Sequence, residues 1–401
     1  MEVRPILSAL LRNRAGAILV ALQIAITLAI VVNAVFLTQQ RVEKIGRPTG
    51  IDDQNIFSFN STGFEKGFDF HAMVREDLAL MRRMPGIIDA TPMSHIPLSG
   101  SGSSSGFFSL PDKKGKNEPA NIYRTDDHAI HSLGVTLASG KTFEPENIEY
   151  VSKESQGWLA TAVITQDLAE GLFPKENALG KTFYDDQSKP IKIVGVMSHM
   201  HGSWVGWDKV GQVILAPRVG PGPSTNYLVR TAPGDIDRVM KDTENALRKR
   251  DPNRVLDDFK KMSDMKRRSY GGDSLVAVTL STVTGLVVIF SSLGIFGLAT
   301  FNVNTRTRQI GTRRAVGARK CDIVRHFMTE NWFVTSFGVV TGCALALGVG
   351  YWLSNQFGLP RLDLYYLVGG VLGLWIVGQL AAWQPSLKAA RVSPAMATRS
   401  V

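Results

Sequence analysis

The chain has 401 residues, a formal net charge of +10 and two cysteines, Cys321 and Cys343. Neither cysteine falls between residues 38 and 274, which excludes a disulfide framework for that long segment. A hydrophobic share of 44% is ordinary, but four long windows carry no charge at all, and that is not the pattern of a soluble chain.

The first window, Ala15–Leu37, holds 23 residues. As a helix it spans about 34 Å, enough for a hydrocarbon core of about 30 Å. A signal peptide has a shorter apolar core of roughly 7–15 residues, so this window reads as a retained anchor. Gln23, Thr27 and Asn33 are polar within it and are expected to face other helices rather than lipid. Residues 38–56 continue with helical spacing (Val42, Ile45).

Ile56–Phe59 alternates like a strand, and His71–Met84 has apolar residues at helical spacing before the stop at Pro85-Gly86. Residues 99–106, SGSGSSSG, read as a flexible loop. Thr161–Thr165, Ile191–Val196 and Tyr227–Thr231 predict strands; Asp167–Phe173 and Asp235–Arg250 predict helices. Residues 254–274 read as a polar run into the second window. The segment 38–274 is therefore expected to be an α+β domain on two helical stalks.

The other windows are Leu275–Phe301, Phe333–Leu353 and Tyr365–Trp383. A charge at the centre of such a helix costs roughly 2.5–3.5 kcal/mol, and none is present. Trp332, Tyr351, Trp352, Tyr365, Tyr366 and Trp383 sit at predicted span ends, where amphipathic rings settle. Gly338, Gly342, Ala346 and Gly350 repeat every four residues along the third span, as do Gly369 and Gly373 in the fourth. Such small residues let helices pack closely in lipid, within one subunit or between two.

All the surplus positive charge lies in three short segments: 1–14 at +2, 302–331 at +5 and 384–401 at +3. The segments 38–274 and 354–364 are neutral. Four spans place the basic segments on one side, and the positive-inside bias makes that side cytoplasmic. The fold class expected is an α-helical membrane protein with four transmembrane helices and a large α+β extracytoplasmic domain.

Other motifs carry little. Gly140-Lys141-Thr142 and Gly180-Lys181-Thr182 mimic a phosphate-binding loop but have Val135 and Lys175 where its first glycine belongs. His128 with His131, and His199 with His201, lack a third ligand at metal-site spacing. No nucleophile–base set is visible, so the chain is not read as an enzyme. A short basic loop tied to the membrane at both ends leaves no room for nucleic acid and suits anionic lipid better.

The basic loop holds more than charge. Gly311 and Gly317 flank Thr312–Val316, which reads as a short helix or turn between breakers; Asp322 can cap the helix that follows. Ile323, Val324, Phe327 and Met328 form one apolar stripe there, with Arg319, Lys320 and Arg325 placed to reach headgroups. Arg306–Ala318, RTRQIGTRRAVGA, resembles the R-x-R-E-I-G-x-R-x-A-x-G-A loop of MacB/FtsX-type ABC transporter permeases. Ala160–Met197 and the ending Pro385–Ser400 are similar to two further family segments. Gln309 stands where the family has glutamate, and Ala397-Thr398-Arg399 where it has Ala-Leu-Arg.

The resemblance implies that the loop is a coupling helix. Its contact set is Arg306, Arg308, Gln309, Ile310, Gly311, Arg313, Arg314, Ala315, Gly317 and Ala318. It implies a separate cytoplasmic ABC ATPase carrying ATP and Mg, with no cofactor in this chain. It further implies a second permease, like or unlike, with the dimer seam at the first two spans. A periplasmic adaptor and an outer-membrane channel complete the expected partners, at the bacterial inner membrane. Tripartite export is the leading expectation; lipoprotein release and FtsX-like control of cell-wall hydrolases are the alternatives.

Overall fold

The computed structural model describes residues 14–64, 69–151, 159–220 and 222–393. The basic residues Arg4 and Arg12 and the last part of the C-terminal motif, 394–401, lie outside the described residues. Two compact units form: residues 47–272, and residues 1–46 with 273–401. Helix α1 (Arg14–Gly46) belongs to the second. It ends at Gly46, so the helical spacing seen over 38–56 is used only in its first half.

The 47–272 unit is α+β. Along the chain it runs β1 (Ile56–Gly63), α2 (Phe70–Met81), β2 (Ile87–Met93), β3 (Ser104–Leu110), β4 (Lys114–Thr125), α3 (Ala129–Leu133), β5 (Leu137–Gly140) and β6 (Glu149–Tyr150). It continues with β7 (Thr161–Thr165), α4 (Gln166–Leu172), β8 (Thr182–Tyr184), β9 (Pro190–Met197), β10 (Val213–Val219) and β11 (Ser224–Thr231), then α5 (Ile236–Arg250), β12 (Arg254–Lys261) and α6 (Met262–Ser269). The strands pair in the order β12-β1-β11-β2-β4-β3-β8-β9-β7-β10-β6, with β5 added on β9. Most pairs are antiparallel; β10 runs parallel to β4 and β6, and β7 parallel to β9.

Two of the apolar clusters among the described residues lie in this unit. Phe57, Phe59, Leu78, Met81, Tyr227, Val229 and Leu247 form one, where α2 and α5 cover β1 and β11. Phe107, Ile164, Leu168, Phe183, Ile193 and Ile214 form the other under α4. Local chemistry places the helices. The Asp69 side chain accepts the Ala72 amide at 2.9 Å and starts α2. Val239, Thr243 and Leu247, four apart, are the buried face of α5.

Two readings need correction. Ser104–Gly106 are strand, because β4 supplies backbone partners that a Ser/Gly composition cannot announce. Residues 254–269 are β12 and α6, because β1 offers β12 an open edge in a polar stretch without clear alternation.

Helices α7 (Gly271–Thr305), α8 (Thr307–Ala315), α9 (Lys320–Phe357) and α10 (Leu364–Ala390) complete the second unit. Among the described residues, α1, α7, α9 and α10 are long and apolar enough to cross a membrane. The glycine stripe on α9 faces α1 of the same chain. A methyl group at Gly338 would stand 2.8 Å from the Ala21 carbonyl oxygen, and one at Gly342 3.0 Å from the Ala25 Cα. Ala346 is fully buried beside them. Gly350 lies against Asn33, whose amide donates to the Ala29 and Ala346 carbonyls at 2.9 and 3.1 Å. Thr27 is buried, and Gln23 donates to the Phe290 carbonyl on α7 at 3.2 Å.

On α10 the glycines that pack within the chain are not Gly369 and Gly373, which face outward with nothing of this chain within 4 Å. Gly370 meets Val32 and Leu28, and Gly378 meets Thr335 and Ile295. A four-residue repeat marks one helical face, but a helix turns about 100° per residue and the neighbour's position decides which face is used.

Candidate functional site

Residues 302–331 are a helical hairpin. Helix α8 runs through Gly311 without a break and buries Ile310 and Gly311, so Gly311 does not act as a stop. The helix ends at Ala315 and is closed by Gly317. Its amide reaches the Arg314 carbonyl at 3.2 Å, and the Ala318 amide reaches the Arg313 carbonyl at 3.1 Å. Those are the two bonds of a Schellman ending, with Gly317 at φ +102 in its left-handed position. Ala318 follows with its side chain on the apolar cluster beneath the hairpin. Asp322 then accepts the Arg319 amide at 2.9 Å from the third position of α9, rather than standing at the cap itself. The spacing A-x-G-A is thus the chemistry of a tight helix–helix turn.

The hairpin sits on a small core of Val303, Ile310, Ile323, Phe327, Ala389 and Ala390, drawn from α7, α8, α9 and α10. Two arginines are built into this base. Arg306 pairs with Glu330 on α9 at 2.9 and 3.1 Å, and Glu330 is buried. Arg314 donates to the Ala390 and Val392 carbonyls at 2.9 and 3.0 Å, satisfying the C-terminal end of α10. Arg308, Gln309, Arg313, Ala315, Gly317, Arg319 and Lys320 are exposed.

The ten residues of the expected contact set therefore divide. Arg306, Ile310, Gly311, Arg314 and Ala318 hold the hairpin; Arg308, Gln309, Arg313, Ala315 and Gly317 face outward. Val316, absent from that set, is 85% exposed at the apex. An aliphatic side chain inside a basic motif was the available signal, obscured by the charge around it.

The other motifs have ordinary partners. Lys141 pairs with Glu144, and Lys181 pairs with Glu176 over the Phe173 ring. His201 is buried, and burial with the positive neighbours His199 and Arg47 pushes it down to about 4. His199 hydrogen-bonds Asp167 at 3.2 Å. No group of three or more metal-type ligands occurs among the described residues.

His128 and His131 share the buried Asp89 carboxylate at 2.8–3.0 Å, a partner 39 and 42 residues away in sequence. The Asp89 hydrogen bond raises His128 above its ordinary value and outweighs burial. Burial pushes Asp89 up, but bonds from His128, His131 and the Ala90 amide outweigh it and hold Asp89 below its ordinary value. The His128 contribution is complete below about pH 6.5 and fades as pH rises through its folded value. The Asp89 contribution is present above about pH 3.9 and is lost as pH falls through its lowered value. His128→Gln is therefore expected to destabilise this unit by about 0.5–1 kcal/mol at pH 5.5, discounted for exposure of the ring. The deficit should shrink at pH 8.5. Urea titrations of both proteins at the two pH values measure it, and a deficit that grows with pH would contradict the pairing.

Comparison with known proteins reads the same architecture. The family model for the MacB-like periplasmic core domain matches residues 17–246, and that for the FtsX-like permease C-terminal region matches residues 281–394. The macrolide export ATP-binding/permease protein MacB of Neisseria gonorrhoeae is 22% identical over 399 residues, covering 96% of this chain and 58% of the relative. The pyoverdine export ATP-binding/permease protein PvdT of Pseudomonas putida is 27% identical over 291 residues, covering 68% and 44%. The uncharacterized ABC transporter permease YknZ of Bacillus subtilis is 23% identical over 288 residues, covering 70% of each. The chain thus spans about half the length of these ATP-binding/permease relatives. The crystal structure of the periplasmic region of MacB from Actinobacillus actinomycetemcomitans aligns at a TM-score of 0.35 with 16% identity, covering 56% of this chain and 97% of that one. With one family model matching more than half of its residues and the second matching from 281 to 394, the chain belongs to the MacB/FtsX-type ABC transporter permeases.

Proposed function

We propose that this permease is the membrane lever of an ATP-driven, MacB-like export system of the bacterial inner membrane. The α8–α9 hairpin, with both chain ends, lies on the cytoplasmic side and seats in a groove of an ABC ATPase. Residues 47–272 lie in the periplasm. ATP, with Mg, is bound and hydrolysed in the ATPase. Closure of paired ATPases moves the hairpins, and the helices carry that motion outward as a switch between two packed states. The permease works as a pair, and its outer domain engages a periplasmic adaptor joined to an outer-membrane channel. Export as the output is supported by the similarity to the macrolide and pyoverdine export proteins MacB and PvdT.

One observation carries this reading: the hairpin presents exposed cations around an apolar apex while Arg306 and Arg314 brace its base to α9 and α10. A hairpin serving only to orient the chain in the membrane needs charge but no such brace. Arg313→Glu should lower the ATPase recovered with the purified permease at least tenfold without affecting insertion. Arg314→Gln should instead lower the permease's own stability. Full ATPase recovery with Arg313→Glu would remove the hairpin from the interface.

A further inference from the structure

Helix α7 has little apolar anchorage in its own chain. Its buried residues are Ala277, Ser291, Ile295 and Val303, a sparse stripe, while Leu275, Val278, Phe290 and Leu293 are all more than half exposed. Polar contacts hold it instead. Near its cytoplasmic end, Arg306 in the link to α8 is bound to Glu330 of α9. Midway, the Gln23 amide of α1 donates to the Phe290 carbonyl, and a side chain at Gly294 would collide with that amide. At the far end Asp273 accepts Arg41 at 2.7 Å and Lys44 at 2.8 Å, with its own side chain only 12% exposed.

The last contact is favoured three times over. Asp273 lies in the first turn of α7, where the helix dipole favours an anion. Lys44 lies in the last turn of α1, where it favours a cation. The two helices run antiparallel, so these complementary ends meet. The span from Gln23 to Arg41 is about 27 Å and that from Asp273 to Phe290 about 26 Å, so both pins fit one register. Beyond the clamp, the chain leaves α1 at Gly46 for the 47–272 unit and returns from it into α7 at Gly271 and Gly272.

We propose that Asp273, with Arg41 and Lys44, is a permanent clamp that makes the outer ends of α1 and α7 move as one body. It is a positioning device: displacement of the hairpin reaches α7 through Arg306–Glu330 and reaches α1 through Asp273. The transmission role rests on the function proposed above; the clamp itself does not.

The test uses the full chain in lipid nanodiscs, with Cys321→Ser and Cys343→Ala and spin labels on Val42→Cys and Val276→Cys. Labelled chains are diluted with unlabelled ones so that only distances within a chain are read. The parent should give one narrow distance distribution, unchanged by ATP and vanadate when the ATPase is bound. Asp273→Asn should broaden it at least twofold, and Asp273→Glu, which keeps the anion, should leave it narrow. A distribution indifferent to Asp273→Asn, or one that Asp273→Glu broadens as much, overturns the clamp. Widening of the parent distribution with ATP would make the contact a gate and overturn its permanence. If no ATPase associates with the parent, the lever reading fails, while the nucleotide-free distances still decide the clamp.

Discussion

Asp77→Ala is expected to destabilise the 47–272 unit by about 3–5 kcal/mol. Asp77 on α2 and Arg254 at the start of β12 are each 1% exposed and 2.5 Å apart. The Tyr227 hydroxyl on β11 donates to the same carboxylate at 2.9 Å, and Arg254 also donates to the Leu247 carbonyl of α5 at 3.0 Å. Four elements converge on one buried ion pair. Removing the anion strands a guanidinium in an apolar core, which costs more than the pair itself contributes. Against a typical domain stability of about 5–15 kcal/mol, the change approaches unfolding. Amide exchange of β11 and β12 in the full chain reads it directly. The double change Asp77→Leu with Arg254→Met should regain most of the loss, because no unpaired charge remains. A single Asp77→Ala variant with unchanged exchange would show that the pair is not buried in solution.

Gly317→Val is expected to give the largest functional loss from a single hairpin change. Its φ of +102 lies where a β-branched residue is strongly disfavoured, at about 1–3 kcal/mol. No atom crowds the position, so backbone conformation rather than space demands glycine. Once the Schellman bonds are lost, Val316 and Arg313 no longer share one presented surface. ATPase recovery with the purified permease should fall at least tenfold, while the membrane helices, which do not depend on this turn, remain inserted. Gly317→Asn should lie between, since asparagine tolerates positive φ better than valine. Equal ATPase recovery from Gly317→Val and the parent would separate the turn from the interface.

The hairpin shows where reading residues in order succeeds and where it stops. Gly317-Ala318 and Asp322 encode a turn and a helix start within a few residues, so their spacing carries the information. Arg313 and Arg314 are adjacent and chemically identical, yet one faces solvent and the other holds the Ala390 carbonyl at the end of α10, 76 residues on. No local pattern distinguishes them, because the distinction is made by a distant helix end. The Asp89 carboxylate that joins His128 and His131 follows the same logic.

By itself the sequence determined four uncharged runs of membrane length, the confinement of surplus cations to three short segments, and the α+β character of the long insertion. Those properties are sums over local windows: hydrophobic length, charge balance and periodicity. Only the tertiary structure decided that Gly370 rather than Gly373 meets α1, that β12 finds an edge on β1, that Asp77 and Arg254 meet in a core, and that Asp273 closes on Arg41 and Lys44. Each of these depends on which face of one element another covers, and that is settled by packing between residues far apart in the chain.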